Sequence, residues 1–301
     1  MLEARKNLSD FIQNTGKTQK EIAKETGLSA SVISQFLNGT YAGDNEEIAN
    51  TIVKYLRIAN DRLNVQKTTQ FYKQLYNTQK VLFACNHAHI DNDIVLVCGE
   101  AGAGKTTALN YYTENNAGVI MVTCNACTVS ATAVLKLIAK KIGIEGINRR
   151  EPLMNKLLDR FKGTHRLIIL DEADHLSLDA LQAVRNLNDS AGVGIVFSGN
   201  DKIYRQMYGG QRGYEFDQIR TRIVVRQRVS NEYTVDEMNG IFINAPEACI
   251  SYLVQLACRE SLRTAIKIYN AAVEFAKAQG VTKVTLPILK SVKDELIGAE
   301  I

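Results

Sequence analysis

The chain has 301 residues, of which 46% are hydrophobic and 23% charged, with a formal net charge of +4. That length suits two or three domains and the composition is ordinary for a soluble globular protein. It excludes a chain that is basic throughout, and no apolar run reaches the roughly 18 residues of a membrane span. The start, Met1-Leu-Glu-Ala-Arg-Lys6, lacks the apolar core of a signal peptide, so a cytoplasmic location with no membrane contact is expected.

Three regions are expected in chain order. Residues 1–63 read as short amphipathic helices, 64–230 as alternating strands and helices, and 231–301 as helices alone. In the first region, Thr18 to Gly39 carries two helical patterns around a turn. Ile22 and Ala23 give the first helix a buried face, Gly27 permits a tight turn, and Ser29 is a natural N-cap for the second. Val32, Ile33, Phe36 and Leu37 form the apolar face of that second helix. The pattern resembles the helix-turn-helix of phage Cro and repressor proteins, whose second helix enters the major groove. The resemblance places Ala30, Ser31, Ser34, Gln35 and Asn38 outward, with Gln35 suited to adenine, the serines to bases or phosphate, and Gln19 to the backbone. That face carries no Arg or Lys and the region is close to neutral, so contact that tolerates many sequences is expected. A protein-binding module of the same fold is the alternative.

In the middle region, apolar runs predict strands at 94–98, 118–123, 166–170, 193–197 and 223–227. Helices are predicted at 105–114, 130–142, 151–162 and 177–190. The alternation implies a parallel five-stranded sheet of α/β class, with ligands at the carboxyl ends of its strands.

After the first strand comes Gly99-Glu100-Ala101-Gly102-Ala103-Gly104-Lys105-Thr106-Thr107, which fits the phosphate-binding loop Gly-x-x-x-x-Gly-Lys-[Ser/Thr]. Glycines let successive backbone N–H groups converge on one anion, and the following helix adds its positive end. Lys105 then reaches the β- and γ-phosphates of ATP and the Thr106 hydroxyl holds Mg2+. The strand Leu167–Leu170 delivers Asp171 and Glu172. Asp171 is expected to bind Mg2+ through water, and Glu172 to orient or deprotonate the attacking water. The next strand ends in Ser198-Gly199-Asn200, where an amide can hydrogen-bond that water and the γ-phosphate.

The order of these motifs looks like the AAA+ ATPases, and that resemblance implies two further arginines. Arg222, with Arg220 as the alternate, corresponds to the residue that reaches a neighbouring subunit's γ-phosphate, which would require an oligomer. Arg263, in Ser261-Leu-Arg-Thr-Ala-Ile-Lys-Ile268, corresponds to the nucleotide sensor on a helical lid.

Charge is uneven. Asp201 to Arg228 holds Lys202, Arg205, Arg212, Arg220, Arg222, Arg226 and Arg228 against Asp201, Glu215 and Asp217, a local excess that suits DNA or phosphate. Of the six cysteines, Cys124 and Cys127 form a lone Cys-x-x-Cys with no second ligand pair, so reduced thiols are expected and zinc is not.

Across nearly the whole chain the combination resembles the phage Mu B transposition protein family. The carrying residues are the helix-turn-helix at 18–39, Tyr41-Ala-Gly-Asp44, the ATP motifs and the segment from Ser261 to Ala272. The resemblance implies a helical homo-oligomer on double-stranded DNA, in the bacterial host cytoplasm, that delivers target DNA to a transposase and stimulates strand transfer. Slow ATP hydrolysis, stimulated by DNA and transposase, then controls filament disassembly. Candidate DNA contacts are Arg149 and Arg150, then Lys202 and Arg205. The competing expectations are a transcription regulator gated by ATP and an ATPase akin to helicase loaders.

Overall fold

The computed structural model describes residues 1–64, 70–209 and 213–298, so Arg212 of the basic stretch lies outside the described residues. The chain divides into two compact units, Met1–Lys67 and Thr68–Ile301.

The first unit contains α1 (Leu2–Thr15), α2 (Gln19–Thr26), α3 (Ala30–Asn38) and α4 (Asn45–Asn64). Local chemistry sets these boundaries. Thr18 and Glu21 form a reciprocal capping box at the start of α2, and Gly27 ends it in the left-handed region at φ 74°. The Ser29 hydroxyl accepts the Val32 N–H at 3.2 Å and opens α3. Leu8, Ile22, Ile33, Phe36 and Ile52 are fully buried at the centre of this unit. Val32 and Leu37, expected on the same apolar face, are only half-buried at its rim.

The second unit opens with α5 (Tyr76–Asp91) and continues β1 (Ile94–Gly99), α6 (Lys105–Asn115), β2 (Val119–Thr123), α7 (Ala131–Lys141), α8 (Arg150–Phe161) and β3 (Leu167–Asp171). Then come α9 (Leu178–Ala191), β4 (Gly194–Ser198), α10 (Asp201–Tyr208), the short α11 (Asp217–Arg220) and β5 (Ile223–Val229). The five strands are parallel in the order β2-β3-β4-β1-β5. Register pairs Val95 with Val196, and Ile169 with Val196 on the strand's other edge.

Both faces of the sheet are covered, so its inner strands are continuous apolar runs. Ile94, Leu96, Ile168, Leu170, Ile195 and Phe197 pack on one side with residues of α7, α8 and α9. The alternating Val95, Val97, Leu167, Ile169 and Val196 pack on the other with α5 and α6. β5 is an edge strand and exposes alternate residues, including Val224.

The unit ends in α12 (Val235–Ile241), α13 (Glu247–Arg259), α14 (Leu262–Ala278) and α15 (Leu286–Ile297). These helices share their own core around Phe242, Leu253, Tyr269 and Leu289, with Phe242 edge-on to Tyr269 at 5.0 Å.

Candidate nucleotide site

The phosphate loop joins β1 to α6 at the carboxyl end of the sheet. Its path depends on glycine at two points. A Cβ on Gly99 would collide with the Val229 carbonyl of the neighbouring strand, and Gly99 has φ 139°. Gly102 has φ 76°, and a Cβ there would lie 2.6 Å from the Ser261 Cβ, so the loop touches the residue that opens α14. Glu100 ties the loop down as well: its Oε2 accepts the Asn231 N–H at 2.6 Å, just past β5.

Helix α6 is preceded by Gly104 as its N-cap, with no side chain capping its first turn, whereas Ser130 and Ser177 cap α7 and α9. The uncapped N–H donors face the loop, which suits an anion. Lys105 is half-buried, and its Nζ donates to the Gly99 and Glu100 carbonyls, both at 2.8 Å. Burial pushes its pKa down, opposed by the nearby Asp171 and Asp201 carboxylates.

Asp171, at the end of β3, is 2% exposed and engaged through both oxygens. Thr106 Oγ1 donates to its Oδ2 at 2.7 Å, and the fully buried Ser198 Oγ donates to its Oδ1 at 2.9 Å. A hydroxyl and a carboxylate held together in a cleft form a hard oxygen donor set, which fits Mg2+. Glu172 is exposed and adopts φ 55°, a left-handed conformation uncommon for a residue with a side chain. Two residues later, Asp174 is 6% exposed and accepts from both the backbone and side chain of Asn200.

Together these groups line a cleft of about 470 Å3. From the loop come Ala101, Gly102, Gly104, Lys105, Thr106 and Thr107, and Ala103 lies buried behind them. Asp171, Glu172 and Asn200 meet them from the ends of β3 and β4. Arg263 closes the far wall from α14, with Leu262, Ile266 and Lys267 beside it. The cleft can therefore hold a polyphosphate against backbone donors with a carboxylate, an amide and an arginine around its end.

Arg222 does not line this cleft. Its side chain is 57% exposed, with Nε 3.4 Å from Asp189, while Arg220 pairs with Asp217 at 2.6 Å. Arg149 is exposed at the start of α8, and Arg150 is paired with Asp179 at 2.8 Å. Lys202 and Arg205 are exposed on α10. In the first unit Ser31 and Gln35 are exposed on α3, and Ser34 and Gln19 are half-buried. Ser31 Oγ lies 2.8 Å from Ser29 Oγ, so the capping serine already engages it. Cys124 is buried, which pushes its thiol up to about 12, and Cys127 is exposed.

Sequence reasoning did not single out Asp174 or Ser198. Their signal was positional: Asp174 follows Asp171 in Asp-Glu-Ala-Asp, and Ser198 ends the strand beside it.

A parallel sheet of this order, with a phosphate loop after β1 and an acidic pair after β3, defines an AAA-type nucleotide-binding protein. Residues 89–207 match the family model described as an AAA domain. Solved structures agree on the fold. The Aeropyrum pernix ORC2 protein aligns with a TM-score of 0.56 at 16% identity, over 75% of this chain and 68% of that one. Drosophila ORC bound to DNA aligns with a TM-score of 0.53 at 14% identity, over 79% and 65%.

Curated relatives narrow the class. The ATP-dependent target DNA activator B of Escherichia phage Mu is 32% identical over 235 residues, covering 78% of this chain and 75% of the relative. The Mu-like prophage FluMu DNA transposition protein B of Haemophilus influenzae is 29% identical over 231 residues, covering 76% and 80%. The chain belongs to this target DNA activator B family of Mu-like phages.

Proposed function

We propose that this chain is an ATPase that assembles on double-stranded DNA in an ATP-dependent way, presents that DNA as a target to a transposase and stimulates strand transfer. Hydrolysis, slow until DNA and transposase stimulate it, releases the assembly. The observation that carries the reading is the convergence of Lys105, Thr106, Asp171, Glu172, Asn200 and Arg263 on one cleft between the sheet and α14. Relatives named as ATP-dependent target DNA activators supply the object of that chemistry.

Within the cleft, the loop backbone and Lys105 bind the phosphates, and Thr106 with Asp171 holds Mg2+, which when bound offsets phosphate charge. Glu172 accepts the proton of the attacking water, Asn200 donates to the γ-phosphate, and Arg263 reports the bound nucleotide to α14. Arg222, on the outside and weakly held, serves the cleft of a neighbouring copy, with Arg220 as the alternate. That arrangement makes hydrolysis a property of the oligomer.

DNA is held chiefly through its phosphates, by Arg149 and Arg150 and then by Lys202 and Arg205. The α2–α3 pair adds a helix-turn-helix contact through Gln19, Ser31, Ser34 and Gln35. A reading face without Lys or Arg supports tolerance of sequence. We assign 1–63 to this helix-turn-helix module, 64–230 to the ATPase core and 231–301 to a helical lid. The site of action is the cytoplasm of the bacterial host; among the described residues no helix is long and apolar enough to cross a membrane.

The test is binding of the full chain to random-sequence and genomic DNA with ATP, ADP or no nucleotide. ATP-dependent binding without a preferred site is expected. A single operator bound without ATP would instead support a transcription regulator.

A further inference from the structure

Asn200 ends β4's exit loop and caps α10, and its amide has little choice of orientation. Its Oδ1 accepts the Lys202 N–H at 2.8 Å. Its Nδ2 donates to Asp174 Oδ2 at 2.8 Å, while the Asn200 backbone N–H donates to Asp174 Oδ1 at 3.2 Å. An ionised carboxylate only accepts and a backbone N–H only donates. Turning the amide over would set oxygen against oxygen and nitrogen against nitrogen. One Nδ2 hydrogen therefore serves Asp174, and the second is left for the cleft that Asn200 lines.

Asp174 is built in for this contact. It is 6% exposed in a three-residue 3-10 turn, Ala173–His175, directly after the acidic pair. A Cβ on Gly199 would lie 2.7 Å from Asp174 Oδ1, so glycine before Asn200 is what lets the carboxylate approach.

We propose that Asp174 is a positioning residue for ATP hydrolysis: it locks the Asn200 amide so that the cleft meets an N–H donor and never the amide oxygen. The inference rests on the ATPase reading above and narrows it. Asn200 can stabilise anionic oxygen on the γ-phosphate, while its amide oxygen is engaged by the Lys202 N–H and an amide does not serve as a general base. The proton acceptor for the attacking water is Glu172.

The experiment measures steady-state ATP hydrolysis by the full chain on random-sequence duplex DNA, with thermal unfolding in parallel. Asp174→Asn and Asn200→Ala should each lower kcat about 100- to 1,000-fold, as loss of one oriented donor does. KM should stay within about threefold, because the ground-state phosphate contacts remain. Asp174→Asn made in the Asn200→Ala background should lower kcat no further. A multiplied loss would mean that Asp174 acts on the reaction directly, and would overturn the proposal.

The exchange variant, Asp174→Asn with Asn200→Asp, is the sharper test. The amide now sits at 174 and donates to a carboxylate at 200, whose other oxygen accepts from Lys202. The pair and the α10 cap survive, but the cleft faces a carboxylate. The exchange should restore the unfolding midpoint relative to Asp174→Asn while kcat stays low. Recovery of kcat would reduce Asp174 to a brace and overturn the proposal, as would failure of the exchange variant to fold. Hydrolysis by the unmutated chain no faster than by Lys105→Ala would instead refute the ATPase reading itself, and this inference with it.

Discussion

Gly102→Ala should destabilise the ATP-site unit through its contact with α14. Two terms add. Alanine at φ 76° costs about 1–2 kcal/mol in the left-handed region. Its Cβ would also lie 2.6 Å from the Ser261 Cβ and 2.7 Å from its Oγ. Relieving such overpacking costs roughly 1–3 kcal/mol. The sum is about 2–5 kcal/mol, and at about 2–4 °C per kcal/mol for a unit of this size the midpoint should fall by about 4–20 °C. The assay is calorimetry of the full chain without nucleotide, repeated with Ser261→Gly as the parent. Removing the serine Cβ relieves the clash, so Gly102→Ala should then cost only the backbone term of about 1–2 kcal/mol. Loss of the Ser261 cap on α14 is common to both arms of the cycle and cancels. Equal drops in the two backgrounds would refute the claim that the phosphate loop bears directly on α14.

Lys105→Ala should abolish ATP binding, read by calorimetric titration, and DNA-bound assembly should disappear with it, read by sedimentation. Glu172→Gln should bind ATP normally yet hydrolyse it at least 100-fold more slowly, leaving long-lived assemblies on DNA; a variant that stayed monomeric on DNA with ATP would contradict the coupling. Arg222→Ala should be inactive alone but regain hydrolysis when mixed with Lys105→Ala, because each supplies what the other lacks; no recovery with Arg222→Ala and recovery with Arg220→Ala would move the role to Arg220. Arg149→Ala should weaken binding to all DNA sequences alike and lower the salt slope by about one, measured by titration over a range of salt.

The sheet was legible because burial on both faces turns a parallel strand into an unbroken apolar run. The runs at Ile94, Leu167 and Val193 fall within one residue of β1, β3 and β4. β5 extends past its predicted end at 227 to Val229, since an edge strand tolerates an exposed charge such as Arg228. Helix α5 carried almost no signal. The face it buries is Asn77, Thr78, Val81, Ala84, Cys85 and Ala88, mostly small or polar groups whose helical period is weak, while Phe83 and Ile90 are exposed. Helix α10 lies within the basic stretch and offers little period of its own, because its buried face is only Ile203 and Met207.

In the site, Lys105, Thr106 and Asp171 were legible from spacing, since the phosphate loop and the acidic strand end each follow an apolar run. Ser198 and Asp174 were not. Their importance lies in contacts across the sheet, Ser198 to Asp171 and Asp174 to Asn200, which no local pattern encodes. The contact of Gly102 with Ser261 is hidden for the same reason: it joins residues far apart in the chain.

The central claim is that nucleotide state controls assembly on DNA of any sequence. Electron microscopy of the full chain on random-sequence duplex, with Mg2+ and either a non-hydrolysable ATP analogue or ADP, tests it most directly. The account predicts extended protein arrays with the analogue and bare DNA with ADP. Isolated particles at one preferred site, unchanged between the two nucleotides, would contradict it.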